Sequence, residues 1–425
     1  MSTEPTRAAK KYSTSLLALV VVCLTVALVL YPEEGYRAGL SGMKLFWDSV
    51  FPSLLPFLIL VELLLGTGVM QGIGVLLEPL MRLLFGVPGA GAFSLSLGVA
   101  AGYPMNAVVT GKFRKNKLLS RIEGERLLAL SSAADPLFLV GTIAVGLLHS
   151  PQLGLLLALA HYGAALLVGF LFKFHGRAEE AMRSEKTQRP PQVNIFRRAY
   201  REMVRVRHED GRTLGKLLGD AVNESIKISL MILGFIMFFA VLYKLLLNTG
   251  VLTLLAVPLQ GLFQLLGLDV SLLQPLLAGL FEVDLGASAV AAAHAPLAAK
   301  AVVVMFITGW AGISVHAQVA SLIVGTDLRM GPYLISRLLH ALFASVLAVV
   351  LWNMGWGQQA APVMANVQAA VSAAGSSGQH WDLAYLLVKN WFLLFGGVVV
   401  LSLVVHFLRS ARVVAWSTKK KPWFR

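Results

Sequence analysis

The stretch FEVDLGASA, residues 281–289, sets two carboxylates, Glu282 and Asp284, inside an otherwise apolar, small-residue segment. Leu and Ala dominate the residues before it, and Ala those after it. A soluble core would exclude the two acids, and so would a helix facing lipid. They fit a polar site enclosed within a membrane protein, and the composition agrees. Of 425 residues, 57% are hydrophobic and only 14% charged, with a mean hydropathy of +0.73. That lies far above the soluble range and indicates a polytopic membrane protein. Several apolar runs reach the ~20 residues that cross a bilayer as a helix. The first, residues 15–30, follows Arg7, Lys10 and Lys11 and leads into YPEEGY rather than a small-residue cleavage site, so it reads as a retained anchor.

The net charge of +14 is not that of a nucleic-acid binder, because the basic residues cluster between apolar runs without aromatic interleaving. The positive-inside rule instead assigns the basic segments 1–12, 112–126, 173–216, 327–337 and 409–425 to the cytoplasm. The poorly charged connections 31–48, 149–152, 248–269 and 353–382 then lie outside, and both termini are cytoplasmic. The single cysteine, Cys23, sits in the first span and can form no internal disulfide.

This orientation predicts spans at 15–30, 49–70, 127–148, 153–172, 224–247, 300–325, 333–352 and 383–408. VLLEPLMRLLFG (75–86) and VLTLLAVPLQGLFQLLGL (251–268) read as interfacial helices. Residues 89–113 must begin and end on the cytoplasmic side, which makes them a re-entrant hairpin turning at 101–104. Residues 271–297 form a second hairpin with both ends outside. The basic linker 173–222 carries Pro190 and Pro191 and alternating charges, and predicts amphipathic or irregular structure without a separate domain.

The order helix, interfacial helix, hairpin, broken helix, helix occurs twice, entered from opposite sides of the membrane. The expected fold is therefore an all-α polytopic membrane protein with two inverted-topology repeats, re-entrant hairpins and discontinuous helices. The repeats cover 49–173 and 224–352, flanked by the anchor and outer loop 1–48, the linker 174–223 and the outer loop, last helix and tail 353–425. Inverted repeats with broken helices are a transporter architecture whose site lies near the midplane.

Candidate binding residues follow from where backbone must break at membrane depth, which is tolerated only inside protein or along a water-filled cavity. In the first hairpin these are Gly102, Tyr103 and Asn106, with Pro104 restarting a helix. In SSAADP they are Ser131, Ser132 and Asp135, the last a helix N-cap before Pro136. In the second hairpin they are Glu282 and Asp284; Asp284 can cap the returning half-helix, whereas Glu282 has no capping role in the sequence and stands as the stronger candidate. In TGWAGISVHAQ, Gly309 and Gly312 mark the weak point, and Ser314 and Gln318 are the candidates, with His316 more readily a packing group. His161 reads the same way, and Glu62 reads as a structural partner of Lys227 or of the cytoplasmic interface. Residues 101–104, 281–289 and SSAADP contain no Lys or Arg.

Neither HExxH, GxSxG nor GxxxxGK[ST] occurs, and Ser, His and Asp stand at no informative spacing, so no catalytic residue, cofactor or metal is expected. The expected partners are a small-molecule substrate and the lipid bilayer, without nucleic acid.

FPSLLPFLILVELL, LLEPLMRLLFGVPG, AGYP, RIEGERLLAL, DPLFLVGTIAVGLL, FEVDLGA and GISVHAQVASL resemble the YlbJ, or SpoVV, family of sporulation integral membrane proteins over residues 51–352. The family carries nucleoside-recognition Gate segments, shared with concentrative nucleoside transporters and spore maturation proteins. The resemblance implies a role in endospore formation: a place in the outer forespore membrane, movement of dipicolinic acid from mother cell toward forespore, and a link to the spore cortex. The further partners expected are a second copy of the chain, as a homo-oligomer, or other sporulation membrane proteins. The chain departs from the family pattern at Asn106, where Gly is usual, at Asp135, where Asn is usual, and at Asp284, where a less acidic residue is usual. Three functions remain open: transport of a small anion during sporulation, uptake of a nucleoside or other polar solute, and a non-transporting sporulation scaffold that binds through the basic linker.

Overall fold

The computed structural model describes residues 7–177, 179, 194–265, 267–356 and 396–408. Most of the outer segment expected at 353–382, the first part of the span expected at 383–408, and the basic tail lie outside the described residues. The described elements are helices joined by turns, with no strand among the described residues. Among the described residues four helices are long and apolar enough to cross a membrane, or up to six if each sharply bent pair counts as one span.

The anchor α1 (Arg7–Leu30) meets α2 (Pro32–Leu45) at 102°. Residues 31–48 are thus helical, not the loop expected. Pro32 opens α2, and Glu33 and Glu34 in its first turn complement the helix dipole. Gly35, Gly39 and Gly42 share its buried face. A Cβ on Gly42 would sit 3.1 Å from the Met237 Cα, so this glycine stripe lets α2 lie close against α11 (Leu214–Asn248).

A wide turn at Phe46–Val50 leads into α3 (Phe51–Thr67). Gly68, at φ 77°, ends it, and α4 (Val69–Leu84) departs at an 84° bend. The expected interfacial helix therefore starts at Val69 rather than at Val75. Between α9 (Leu153–Phe172) and α11, the linker forms α10 (Ile195–Asp210), which packs on α3 and α4. A Cβ on Gly68 would fall 2.3 Å from the Met203 carbonyl oxygen, so α10 is seated in the bend itself. Glu62 pairs with Lys112 rather than with Lys227.

The first hairpin is α5 (Gly91–Ala101) and α6 (Tyr103–Lys115). The span expected at 127–148 is broken into α7 (Arg121–Ser131) and α8 (Leu137–Leu147). A capping box at Ser120 and Glu123 starts α7. Widened turns end α8, where the Leu148 N–H reaches back five residues to the Ile143 carbonyl at 2.9 Å.

After α11 come α12 (Val251–Leu265), a short turn at Val270–Leu272, and the second hairpin, α13 (Leu273–Phe281) with α14 (Val283–Ala292). The next span is also broken, into α15 (Leu297–Trp310) and α16 (Gly312–Leu322). The helix α17 (Met330–Asn353) packs against α9 and α15. The last described helix, α18 (Gly396–Leu408), docks on α4 through a hydrogen bond of 2.7 Å from the Ser402 hydroxyl to the Leu76 carbonyl.

At the end of the bundle assigned to the cytoplasm, ion pairs tie early elements to late ones. Arg114 grips Asp327 at 2.6 and 2.9 Å. Arg329 grips the buried Glu125 at 2.7 and 2.8 Å, and Glu125 also meets His175 at 2.7 Å.

Candidate functional site

Four interruptions of the helical chain meet inside the bundle. The first is Gly102, at φ 80°, between α5 and α6. Only glycine adopts this backbone without strain. The hairpin closes tightly: a Cβ on Gly98 would lie 3.3 Å from the Asn106 Cβ and 2.1 Å from the Ser131 carbonyl oxygen. Asn106 is fully buried. Its amide donates to the Ser132 hydroxyl at 2.5 Å, and its Oδ1 has no partner. The Tyr103 hydroxyl donates to the Thr308 carbonyl at 2.6 Å, which joins the first hairpin to the end of α15.

The second interruption is the Ser132–Asp135 gap between α7 and α8. Unwinding a helix in the membrane frees backbone groups that water cannot reach, and side chains of α9 and α17 take them up. The Ala134 N–H donates to His161 Nε2 at 2.9 Å, and the Tyr162 hydroxyl donates to the Ala134 carbonyl at 2.9 Å. Arg337 donates to the Ala129 carbonyl at 2.8 Å and to the Ser132 carbonyl. The Ser131 and Ser132 hydroxyls turn back onto the carbonyls of Leu127 and Leu128, at 2.6 and 2.7 Å. Asp135 caps α8 by accepting the Phe138 N–H at 2.9 Å. Its other carboxylate oxygen would lie 3.4 Å from a Cβ on Gly102, so the first hairpin tip and the first break are neighbours.

The third interruption is Glu282 itself, in an extended conformation between α13 and α14. Its Oε2 accepts the Leu285 N–H at 2.8 Å. This reverses the expectation from sequence: Glu282, not Asp284, caps the returning half-helix. A cap must precede the first helical residue, and α14 begins at Val283, two residues earlier than a cap at Asp284 requires. Glu282 is 4% exposed and Asp284 half-buried. The hairpin arms cross at glycines, where a Cβ on Gly286 would meet the Gly279 Cα at 2.2 Å.

The fourth interruption is Ala311, held at φ 74° between α15 and α16. A non-glycine residue in the left-handed region is strained by roughly 1 kcal/mol. The next residue, Gly312, abuts the second hairpin tip: a Cβ there would lie 3.1 Å from the Phe281 carbonyl and 3.2 Å from the Glu282 Cα. Trp310 Nε1 donates to the Leu280 carbonyl at 3.2 Å, and His316 Nε2 to the Trp310 carbonyl at 2.8 Å. Gln318 donates to the Ser314 hydroxyl at 3.3 Å and leaves its buried Oε1 without a partner.

Nine of the ten residues expected at the site lie at these four interruptions or within about one turn of them, and Gln318 lies about two turns into α16. Contacts link the first hairpin to both breaks, and the second break to the second hairpin. Sequence reading overlooked the buried cluster that holds the first break. Arg337, assigned to a cytoplasmic basic segment, is fully buried. Its Nη1 meets His340 Nδ1 at 3.0 Å. His340 Nε2 meets the His161 carbonyl at 3.0 Å, so it carries that ring's proton and leaves Nδ1 to accept from the guanidinium. The available signal was the spacing of Tyr333, Arg337 and His340, which puts three polar groups on one face of an apolar helix.

The charge at the four helix restarts is uneven. Protein carboxylates already occupy two: Asp135 at α8 and Glu282 at α14. The other two, α6 and α16, have no side-chain cap. Their first N–H groups carry the positive end of a helix dipole.

A cavity of about 800 Å³ opens at the end of the bundle assigned to the cytoplasm, lined in part by Glu62, Lys112, Arg205, Arg212, Glu224 and Lys227. A second of about 250 Å³ shares Lys112, Glu224 and Lys227 and extends between α6, α11 and α16.

Fold and site together define an all-α polytopic membrane protein built from hairpins and interrupted spans. Residues 47–172 match the Gate family, described as nucleoside recognition. The chain is 41% identical over 344 residues, 81% of its own length and 84% of the relative's, to the sporulation integral membrane protein YlbJ of Bacillus subtilis (strain 168). It belongs to the YlbJ family of sporulation integral membrane proteins. No solved structure matches it.

Proposed function

We propose that this chain transports a small anion during spore formation, with dipicolinate as substrate and the outer forespore membrane as its location. The observation that carries the reading is the meeting of four chain interruptions inside the bundle, two of them helix N-termini without a protein cap. Oriented N–H groups at membrane depth hold an anion that water would otherwise have to solvate. Dipicolinate is a dianion at neutral pH and suits two such ends. Glu282 and Asp135 do not oppose it as their charge alone suggests, because each is already engaged at its own helix N-terminus.

The two sets of elements, α3 to α9 and α11 to α17, follow one another in the same order, which supports reading them as inverted repeats that rock about the site. The cavities beside Lys112 then form the cytoplasmic approach. Binding rather than catalysis is supported by the engagement of the Tyr103, Ser131 and Ser132 hydroxyls and of His161 Nε2 and His316 Nε2 with backbone groups.

The test is flux of labelled dipicolinate into liposomes carrying the purified protein. Uptake above protein-free liposomes is expected, and Asn106→Leu should abolish it while membrane insertion persists. No uptake by the wild type refutes the reading. The Gate match favours a second reading, nucleoside transport, and uridine uptake without dipicolinate uptake decides for it. Uptake of neither leaves the scaffold role.

A further inference from the structure

The side chain of Arg337 is among the largest that are fully buried, at 0% exposure. Its partners are two backbone carbonyls, those of Ala129 and Ser132, and the His340 ring. The Tyr333 ring stands 5.7 Å from the guanidinium carbon. The His340 ring that it meets stacks on the His161 ring, with centroids 4.4 Å apart, and neither group is a carboxylate. Among the described residues no carboxylate pairs with this guanidinium, and its Nε is buried with no hydrogen-bond partner at all.

A charge withdrawn from water costs several kcal/mol unless a counter-charge and hydrogen bonds replace its hydration. The carbonyls at the C-terminal end of α7 replace part of it, since a helix C-terminus attracts cations. They carry no net charge, so a whole positive charge remains unneutralised in the interior. Of the other charged groups in the interior, Asp135 and Glu282 cap helices, and Glu62 and Glu125 join ion pairs. Arg337 has no such neighbour among the described residues, and it is tied to the uncapped helix α6 through Ser132, whose carbonyl it holds and whose hydroxyl takes the Asn106 amide.

We propose that Arg337 is the specificity-determining residue of the site: its free Nε edge takes one carboxylate of the substrate, and the α6 N-terminus takes the second. This rests on the anion-transport reading and adds the residue that reads the charge. A dicarboxylate supplies the missing counter-charge and satisfies Nε. A monocarboxylate serves only one of the two positions, and a neutral solute serves neither as an ion. The carbonyl contacts of Arg337 hold the guanidinium in place so that its third side stays presented.

The experiment compares wild type, Arg337→Lys and Arg337→Gln in liposomes. Uptake of labelled dipicolinate is measured alone and in competition with pyridine-2-carboxylate, which lacks one carboxylate. Folded protein is quantified by size-exclusion profile and melting temperature. The wild type is expected to prefer dipicolinate. Arg337→Gln should lose that preference by about tenfold or more, the effect of removing a charge-assisted hydrogen bond. Arg337→Lys keeps the charge but not the planar fork, and should fall between the two. If Arg337→Gln fails to fold, Arg337→Lys decides, because an ammonium still holds a carbonyl. Uptake that falls only with the amount of folded protein, at unchanged preference, assigns Arg337 a purely structural role and overturns the proposal. Wild-type protein that takes up no dipicolinate overturns the transport reading and this proposal with it, whereas wild-type uptake with unchanged preference in both variants overturns this proposal alone.

Discussion

Gly286→Ala tests how the second hairpin is closed. The arms α13 and α14 cross where Gly286 faces Gly279, and a methyl on Gly286 would stand 2.2 Å from the Gly279 Cα and 2.6 Å from its nitrogen. An ordinary contact begins near 3.4 Å, so the arms must part by about 1.2 Å. Both sides of the contact are backbone, and no rotamer change relieves it. Overpacking of this kind costs ~1–3 kcal/mol, and a clash with backbone belongs at the upper end of that range. The displacement acts directly on Glu282, whose carboxylate holds the Leu285 N–H at 2.8 Å across the same turn. We expect a lower melting temperature in detergent and loss of dipicolinate flux even in the protein that remains folded. Gly234→Ala is the control: a Cβ there meets nothing within 4 Å, and replacing an exposed helical glycine stabilises by up to ~1 kcal/mol. Wild-type melting and flux in Gly286→Ala would show that the hairpin does not close at this crossing, and the positioning of Glu282 would need another cause.

Glu282→Gln keeps an oxygen for the Leu285 N–H, so it should fold and still bind substrate, as expected of a helix cap; loss of binding at every pH shows instead that the charged carboxylate is required. Gly68→Ala combines a strained φ of 77° with a methyl 2.3 Å from the Met203 carbonyl, and should unseat α10, read as faster protease cleavage of the linker; unchanged cleavage refutes the docking. The hydrogen bonds from Arg114 hold the Asp327 carboxyl below the usual carboxylate range. Its contribution is therefore present above that range and lost as the pH falls through the lowered value. With Asp327 50% exposed, the loss should stay under ~1 kcal/mol, visible as an acid-side drop in melting temperature that Asp327→Asn lacks; an identical pH profile in both proteins refutes it.

Several features of the site were legible because they are local. Gly102 ahead of Tyr103 and Pro104, and Asp135 ahead of Pro136, announce a helix stop and restart through φ preference, a missing N–H and a cap. The chain breaks at both. The acids of FEVDLGASA marked the second tip for the same reason, since carboxylates in an apolar segment need an enclosed polar setting. The choice between Glu282 and Asp284 as cap was not local. It depends on where α14 begins, and that is set by the Gly279–Gly286 crossing and by Gly312 pressing on the tip. The helical state of 31–48 was hidden by low hydropathy; its glycine face gains stability only against α11.

By itself the sequence determined the membrane class, most of the spans and the breaks in them, because apolar length, cap chemistry and loop charge act within a few residues along the chain. Only the tertiary structure decided which charges belong to the interior. Charge counting sent Arg337 to the cytoplasm and offered Lys227 to Glu62, yet Arg337 lies buried on the carbonyls of a broken helix and Glu62 pairs with Lys112. A long cationic side chain takes its place from the backbone groups that other helices leave unsatisfied, and those groups exist only once the helices have broken and met.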